Sequence, residues 1–473
     1  MTFKLVLALA VGGALVNAAL FVLDPDHLLV GLVLWAAALS VPLGLRLWEQ
    51  RPVRVRSVPR AAGFQPHSLA RMKATIEGYN AAPRPDVPEL VDYVLHQAAL
   101  SQASDIHLLP YRDHVQVRYR IDGLLTDVAQ LAPGLREPVT NRLKVLSKAV
   151  TFVHDRPQDG RLDVKVGERE VDLRVAFMPT LHGERVVMRV LSRAELGFGL
   201  ASLGLNPEQL EAFTDTVFRP QGMVILNGPA GAGKTTTIYT TLRAILDNRQ
   251  QAASIYTLED PIEYDLQNIN QTQIEEAQGF TFAQGLRTML RQDPDVIMVG
   301  EIRDLETARI AIQAGMTGHL IITTVHAKQS AAVFVRLNEM GVDPHSVASA
   351  VTAVVAQRLA RLLCPHCKRP TAPTPGEEAK LGRRLEGSFF AAAGCEKCGL
   401  KGYAGRRGVF EVLVVDEAAR ELILQRGSPD RLYRVAMERG MSTLLDNGLR
   451  LAREGLTSLD EVLRILPPEQ RGA

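Results

Sequence analysis

The residues Gly228-Pro229-Ala230-Gly231-Ala232-Gly233-Lys234-Thr235 follow the spacing G-x-x-x-x-G-K-[ST]. That spacing has a chemical reading. Glycines let backbone N–H groups converge on phosphate oxygens, the lysine reaches the β- and γ-phosphates, and the following hydroxyl ligates Mg²⁺. The contacts would run from Gly228 to Thr236. A plain glycine turn could match the pattern by chance, but it needs no particular flanks. Here Met223–Leu226 is a short apolar run of the buried-strand kind, and Thr235–Leu246 contains no helix breaker. A strand, a glycine loop and a helix N-terminus together make a phosphate site.

A second set of residues points to metal. The chain has four cysteines, all in two pairs, Cys364-Pro-His-Cys367 and Cys395-Glu-Lys-Cys398. Two such knuckles suit a tetrahedral Cys₄ zinc site. Redox pairs, or a site that has lost its metal, are the other readings. Structural disulfides are rare in a cytoplasmic chain. His366 lies between the first pair and reads as solvent-facing, because four sulfurs already complete the shell.

The phosphate loop needs elements to hold it, and the pattern around it is alternating helix and buried strand. This predicts a doubly wound α/β domain. Ser254–Leu258 leads into Glu259-Asp260-Pro261-Ile262-Glu263-Tyr264, Val296–Val299 into Gly300-Glu301, and Leu320–Val325 into His326. Ligands of open α/β sheets sit at the carboxyl ends of strands. Single carboxylates there are ordinarily caps; several in register with a phosphate loop point to catalysis. Upstream, Pro88–Leu100 has helical spacing. Alternating stretches at 115–121 and 124–128 flank Asp122-Gly123, a hairpin signal. A helix around 137–149 and strands at 161–166, 170–177 and 184–191 complete a smaller α+β domain. Its recurring arginines (Arg156, Arg161, Arg174, Arg185, Arg189) would by themselves read as solvent-facing. The glycine-rich stretch 194–205 reads as a hinge.

The chain has 473 residues and a formal net charge of +2, with 5% aromatics. The length calls for more than one domain. The near-neutral balance and sparse aromatics argue against direct nucleic-acid binding. Residues 5–23 and 28–45 are apolar runs of bilayer-spanning length, separated by Asp24-Pro25-Asp26-His27. Arginines follow the second run, so the positive-inside rule predicts a transmembrane hairpin over 1–48 with both ends in the cytoplasm. A signal peptide ending near Ala18 would export a phosphate site and leave the second run unexplained. Residues 49–88, rich in Arg, Pro and Ala, read as a linker, lying on anionic headgroups or simply solvated.

From Asp92 to Leu466 the chain resembles the secretion ATPases of type II secretion and type IV pilus assembly. The resemblance rests on TLEDPIEY (257–264), LRQDPDVIMVGEIRDLETA (290–308), TGHLIITTVHA (317–327) and QRLARLLCPHC (357–367). Upstream it rests on ASDIH (103–107), VRYRIDG (117–123), RPQDGR (156–161) and PTLHGERVVMRVL (179–191). It implies a RecA-like P-loop ATPase domain over 206–473, including a Cys₄ zinc subdomain at 360–408 and a helical C-terminus. A PAS-like α+β domain over 89–193 precedes it. By position, Glu263 matches the base that orients the attacking water and Glu301 the carboxylate acting on Mg²⁺. His319 and His326 match residues that sense the γ-phosphate and link subunits. Arg156, Arg161, Arg174 and Arg185 are candidates for arginines donated to nucleotide sites. The resemblance also implies a homo-hexamer at the bacterial inner membrane that hydrolyses ATP. It would work with a polytopic platform protein and other assembly proteins. The chain departs from the pattern at Ala230 and Ala232, at Leu109 in place of a glutamate, and in the hairpin that replaces a folded docking domain. A scaffold that binds ATP without hydrolysing it, and a DNA-uptake motor, are the rival readings.

Overall fold

The computed structural model describes residues 68–166, 169–191 and 199–466. The expected membrane hairpin lies outside the described residues. Among those described, no helix is long and apolar enough to cross a membrane.

Two compact units are present. The first contains β1 (Asp105–Pro110), β2 (Val115–Ile121), β3 (Leu124–Leu131), β4 (Gln158–Val166), β5 (Arg169–Thr180) and β6 (Gly183–Leu191) in one sheet of order β3-β2-β1-β6-β5-β4. Asp122 and Gly123, both with positive φ, turn the chain between β2 and β3. The helices Val87–Leu100 and Arg136–Leu146 bring Leu90, Val94, Val139 and Leu143 together with Leu108 and Met188. Asp86 caps the first of these helices by accepting from the Glu89 N–H. Period-two alternation explains the other face. Leu162, Val164, Leu173, Val175, Val186 and Met188 are buried, so Arg161, Arg174 and Arg185 project from the opposite side. Arg161 and Arg174 face each other across β4 and β5.

The second unit is built on β7 (Gly222–Asn227), β8 (Ile255–Glu259), β9 (Asn270–Gln273), β10 (Val296–Val299), β11 (Leu320–Thr324) and β12 (Val351–Leu363). A small pair, β13 (Arg369–Thr371) and β14 (Phe389–Ala391), follows, and β15 (Tyr403–Val414) completes the main sheet. Its order is β15-β12-β7-β11-β10-β8-β9, parallel throughout except for β15. β7, β10 and β11 are buried along their whole length, as parallel strands covered on both faces must be. Val224 and Leu226 join a core with Phe213, Ile238, Leu242 and Ile245 from helices Pro207–Val217 and Lys234–Asn248. Met223 and Ile225 join the opposite core with Leu286, Ala308, Ile312, Val333 and Val347. A third core unites Ala356 and Ala360 of β12 with Phe389 and the helices Leu444–Arg453 and Leu459–Ile465.

Two sequence expectations are corrected here. The linker assigned to 49–88 contains a helix, Leu69–Ala81. Its apolar residues are sparse among Arg, Lys, Glu and Ala, yet Met72 and Ile76, one turn apart, are buried. Asn80 fixes its end, donating to the Gln130 carbonyl and accepting from the Ala132 N–H, both at 2.8 Å. The second half of the predicted hinge is packed core. Leu203 and Leu205 are buried, and Gly204 is there for contact: a Cβ on it would stand 2.5 Å from the Gly408 carbonyl oxygen.

Candidate functional site

The phosphate loop leaves β7 at Asn227 and enters its helix at Lys234. Gly231 and Gly233 have φ of +74° and +86°, a left-handed backbone that favours glycine. Gly228 is required by crowding, since a Cβ there would meet the Gln357 carbonyl oxygen at 2.6 Å. Lys234 Nζ bends back over the loop and donates to the carbonyls of Gly228 (2.7 Å) and Pro229 (3.0 Å). Burial holds this ammonium below the ordinary lysine range; Glu301 pulls it up and Arg358 pushes it further down. The loop therefore presents a partly desolvated cation to any phosphate that enters. Thr235 and Thr236 open the helix, Thr235 half-buried and Thr236 exposed, while Ala232 is buried against the loop.

Three of the sequence-predicted residues sit at the carboxyl edge of the same sheet. Glu301 follows β10 by two residues and pairs with Arg303 at 2.6 Å. Its charge acts to raise the Lys234 ammonium, and a carboxylate and the Thr235 hydroxyl are oxygen ligands of the kind Mg²⁺ takes. His326 follows β11 by two residues and is exposed. Glu263 belongs to the loop after β8, and strand spacing alone would leave it ~14 Å from β7. The loop folds back: the Glu263 N–H donates to the Tyr239 hydroxyl at 3.4 Å, and Tyr239 lies on the phosphate-loop helix. His319 is placed elsewhere. It precedes β11, its carbonyl accepts the Gly222 N–H that opens β7, and it is therefore at the opposite end of the sheet from the phosphate loop.

Arg156 and Arg161 are exposed in the first unit, with Arg185 exposed on β6 and Arg174 half-buried on β5. The four cysteines come together, with all Sγ atoms within 4.8 Å of one another. Cys364–Cys395, Cys367–Cys398 and Cys395–Cys398 stand at 3.9, 3.8 and 3.8 Å. A tetrahedron with zinc–sulfur bonds of about 2.3 Å has an edge of ~3.8 Å, so the thiols fit zinc and are far from disulfide length. Burial pushes the Cys398 thiol up, but N–H groups of Cys395 and Gly402 donate to its sulfur and bring it down to about 7.

Sequence reading assigned no role to the residues that brace this site. Glu259 is buried, and its carboxylate accepts from Tyr239, Thr257 (2.6 Å) and Gln271 (3.0 Å). With both oxygens engaged, it anchors Tyr239 rather than activating water. Gln357 accepts from the Thr237 hydroxyl at 2.9 Å and so links β12 to the phosphate-loop helix. A polar pair, Gln357-Arg358, interrupting the apolar strand Val351–Ala356 was the available signal.

The family described as Type II/IV secretion system protein matches residues 81–464. The chain is 41% identical over 408 residues to the type II secretion system ATPase E of Vibrio cholerae, covering 84% of this chain and 78% of that protein. It is 41% identical over 379 residues to the type IV pilus assembly ATPase PilB of Thermus thermophilus, covering 79% of this chain and 42% of that longer protein. Among solved structures, the Legionella pneumophila ATPase DotB superposes with a TM-score of 0.60 at 20% identity, over 81% of this chain and 97% of that one. The pilus retraction motor PilT with bound ADP gives 0.54 at 24% identity, over 80% and 96%. At those identities the two structures establish a shared α/β fold.

Proposed function

We propose a motor function on the ground that this chain belongs to the Type II/IV secretion system protein family, matched over residues 81–464, and is an ATPase like its relatives in type II secretion and type IV pilus assembly. The observation that carries the reading is the single sheet edge that gathers Lys234, Glu301, Glu263 and His326 around one phosphate loop. ATP would lie on the loop from Gly228 to Thr236, with Lys234 on its β- and γ-phosphates. Thr235 and Glu301 would hold Mg²⁺, which when bound spreads the charge of the terminal phosphates. Glu263 accepts a proton from the attacking water and orients it. His326 senses the terminal phosphate from β11. A scaffold that only binds ATP has no use for Glu263.

Hydrolysis by rings of this chain would power assembly of a pilus or pseudopilus, or type II secretion, through a polytopic membrane platform protein. The arginine-bearing face of the first unit supports a homo-hexamer in which arginines reach a neighbouring subunit's nucleotide. Arg161 and Arg174 stand opposite each other on β4 and β5. Mixing a Lys234→Ala protein with an Arg161→Ala or Arg174→Ala protein should therefore restore part of the ATPase activity that each lacks alone. Mixed rings without rescue, for each arginine tried, would assign the arginines to their own subunit. His319, on the far edge of the sheet, fits a subunit-linking role better than a phosphate-sensing one.

The zinc site staples the C-terminal module. Residues 1–48 supply a membrane hairpin, so the ATPase units face the cytoplasm at the bacterial inner membrane. Carbonate and high-salt washes test this anchor. Salt screens exposed charges and would release a protein held only by arginines of the linker. An inserted hairpin stays with the membrane, and deleting residues 1–48 should give a soluble, folded protein. Release of the full-length chain by salt would exclude the hairpin.

A further inference from the structure

The segment 326–330, which carries His326 away from β11, crosses three neighbouring strands and is tied to each. The Ala327 N–H donates to Asn227 Oδ1 at 3.0 Å; Asn227 ends β7, is fully buried and immediately precedes the phosphate loop. The Lys328 carbonyl accepts from the Arg358 guanidinium of β12 at 3.5 Å. The Ser330 hydroxyl donates to Glu411 of β15. These anchors follow the sheet order β11-β7-β12-β15.

Two of the anchors also touch the nucleotide loop. Asn227 is continuous with Gly228. Arg358 donates to the Gln357 carbonyl at 2.9 Å, the oxygen packed against Gly228, and its charge is felt at Lys234. The third anchor reaches outward. Glu411 is buried and accepts from the Tyr433 hydroxyl (2.6 Å) and the Leu444 N–H (3.3 Å), which belong to the helices Pro429–Glu438 and Leu444–Arg453. Burial of a carboxylate is costly unless it is hydrogen-bonded, and the bonds to the Glu411 carboxylate come from Ser330 of the segment and from Tyr433 and Leu444 of those helices.

We propose that Asn227, Arg358 and Glu411 are positioning residues that strap the segment 326–330 across the sheet, fixing His326 relative to the phosphate loop and tying it to the C-terminal helices. This rests on the ATPase reading and on His326 acting at the terminal phosphate. Displacing a positioned group by about an ångström costs up to ~100-fold in rate while leaving ground-state binding largely intact. Asn227→Ala in the full chain should thus lower kcat for ATP about 10- to 100-fold, with nucleotide affinity within about threefold of wild type. Asn227→Ala combined with His326→Ala should be no slower than His326→Ala alone, because both remove one arrangement. Glu411→Ala should slow turnover, and Glu411→Gln, whose single oxygen can still accept from Tyr433 and Leu444 while its amide donates to the Ser330 hydroxyl, should recover most of the loss. Additive losses in the double variant, or a fall in affinity with kcat unchanged, would overturn the strap. A wild-type protein that binds ATP without turning it over would instead defeat the ATPase reading itself.

Discussion

Replacing Glu263 with Gln is expected to leave ATP binding nearly intact and to slow turnover by roughly two orders of magnitude or more, the usual worth of a general base. Glutamine keeps the size and the hydrogen-bonding reach of the side chain and removes only the proton acceptor. The site makes the separation clean. Glu263 is exposed on a loop held by backbone, through the Tyr239 hydroxyl, so its side chain bears no packing load. Glu259 is the contrast. Its carboxylate is fully engaged by Tyr239, Thr257 and Gln271, and losing it would disturb the loop itself. Lys234→Ala should act at an earlier step by weakening nucleotide binding. A Glu263→Gln protein with near wild-type turnover would remove Glu263 from the role of base.

The second large effect concerns metal. Purified protein should carry about one zinc per chain, and Cys398→Ser or Cys364→Ser should carry roughly none, because a four-thiolate shell loses its closure with any ligand. The loss should spread into the C-terminal helices, since metal affinity and local folding are one free energy. The route is visible. The Cys364 N–H donates to the Gly402 carbonyl at 2.9 Å, the Leu363 N–H to Leu456 at 2.8 Å, and Lys368 Nζ to Gly455 at 2.8 Å. Beside them Glu461, fully buried, binds both Arg361 and Arg464, and Arg361 stacks over Tyr403. Burial alone would raise the Glu461 carboxyl, but its bonds to the two guanidiniums hold it low. Limited proteolysis between Cys364 and Gly402 should accelerate in the serine variants. Zinc retained at full occupancy in either variant would show that other atoms hold it.

Much of the site was legible because its chemistry is local in sequence. The phosphate loop, the residues following β8, β10 and β11, and the two cysteine knuckles each occupy a few consecutive residues whose types fix their use. The α/β alternation around them was legible for the same reason, since β7, β10 and β11 are each built on a short apolar run. What escaped depends on contacts distant in sequence. The helix Leu69–Ala81 carries only a thin apolar stripe of Leu69, Met72 and Ile76, in a stretch rich in charged and small residues. Gly204 looked like a hinge glycine and is one that lets Gly408 approach. His319 lies close to His326 in sequence and at the other end of the strand in space, a consequence of the extended rise of β11. Glu411 and Asn227 are polar residues with apolar neighbours in their strands, and Gln357 belongs to a polar pair. Their purpose appears only when the sheet order sets them side by side.

The central claim is that one phosphate loop with its flanking carboxylates turns over ATP. The most direct measurement is steady-state phosphate release by the purified full-length protein with Mg²⁺ and ATP, set beside Lys234→Ala and Glu263→Gln and paired with equilibrium nucleotide binding to all three. Hydrolysis is expected in the wild type, lost together with nucleotide binding in Lys234→Ala and lost with binding retained in Glu263→Gln. Wild-type protein that binds ATP yet releases phosphate no faster than Lys234→Ala would contradict it.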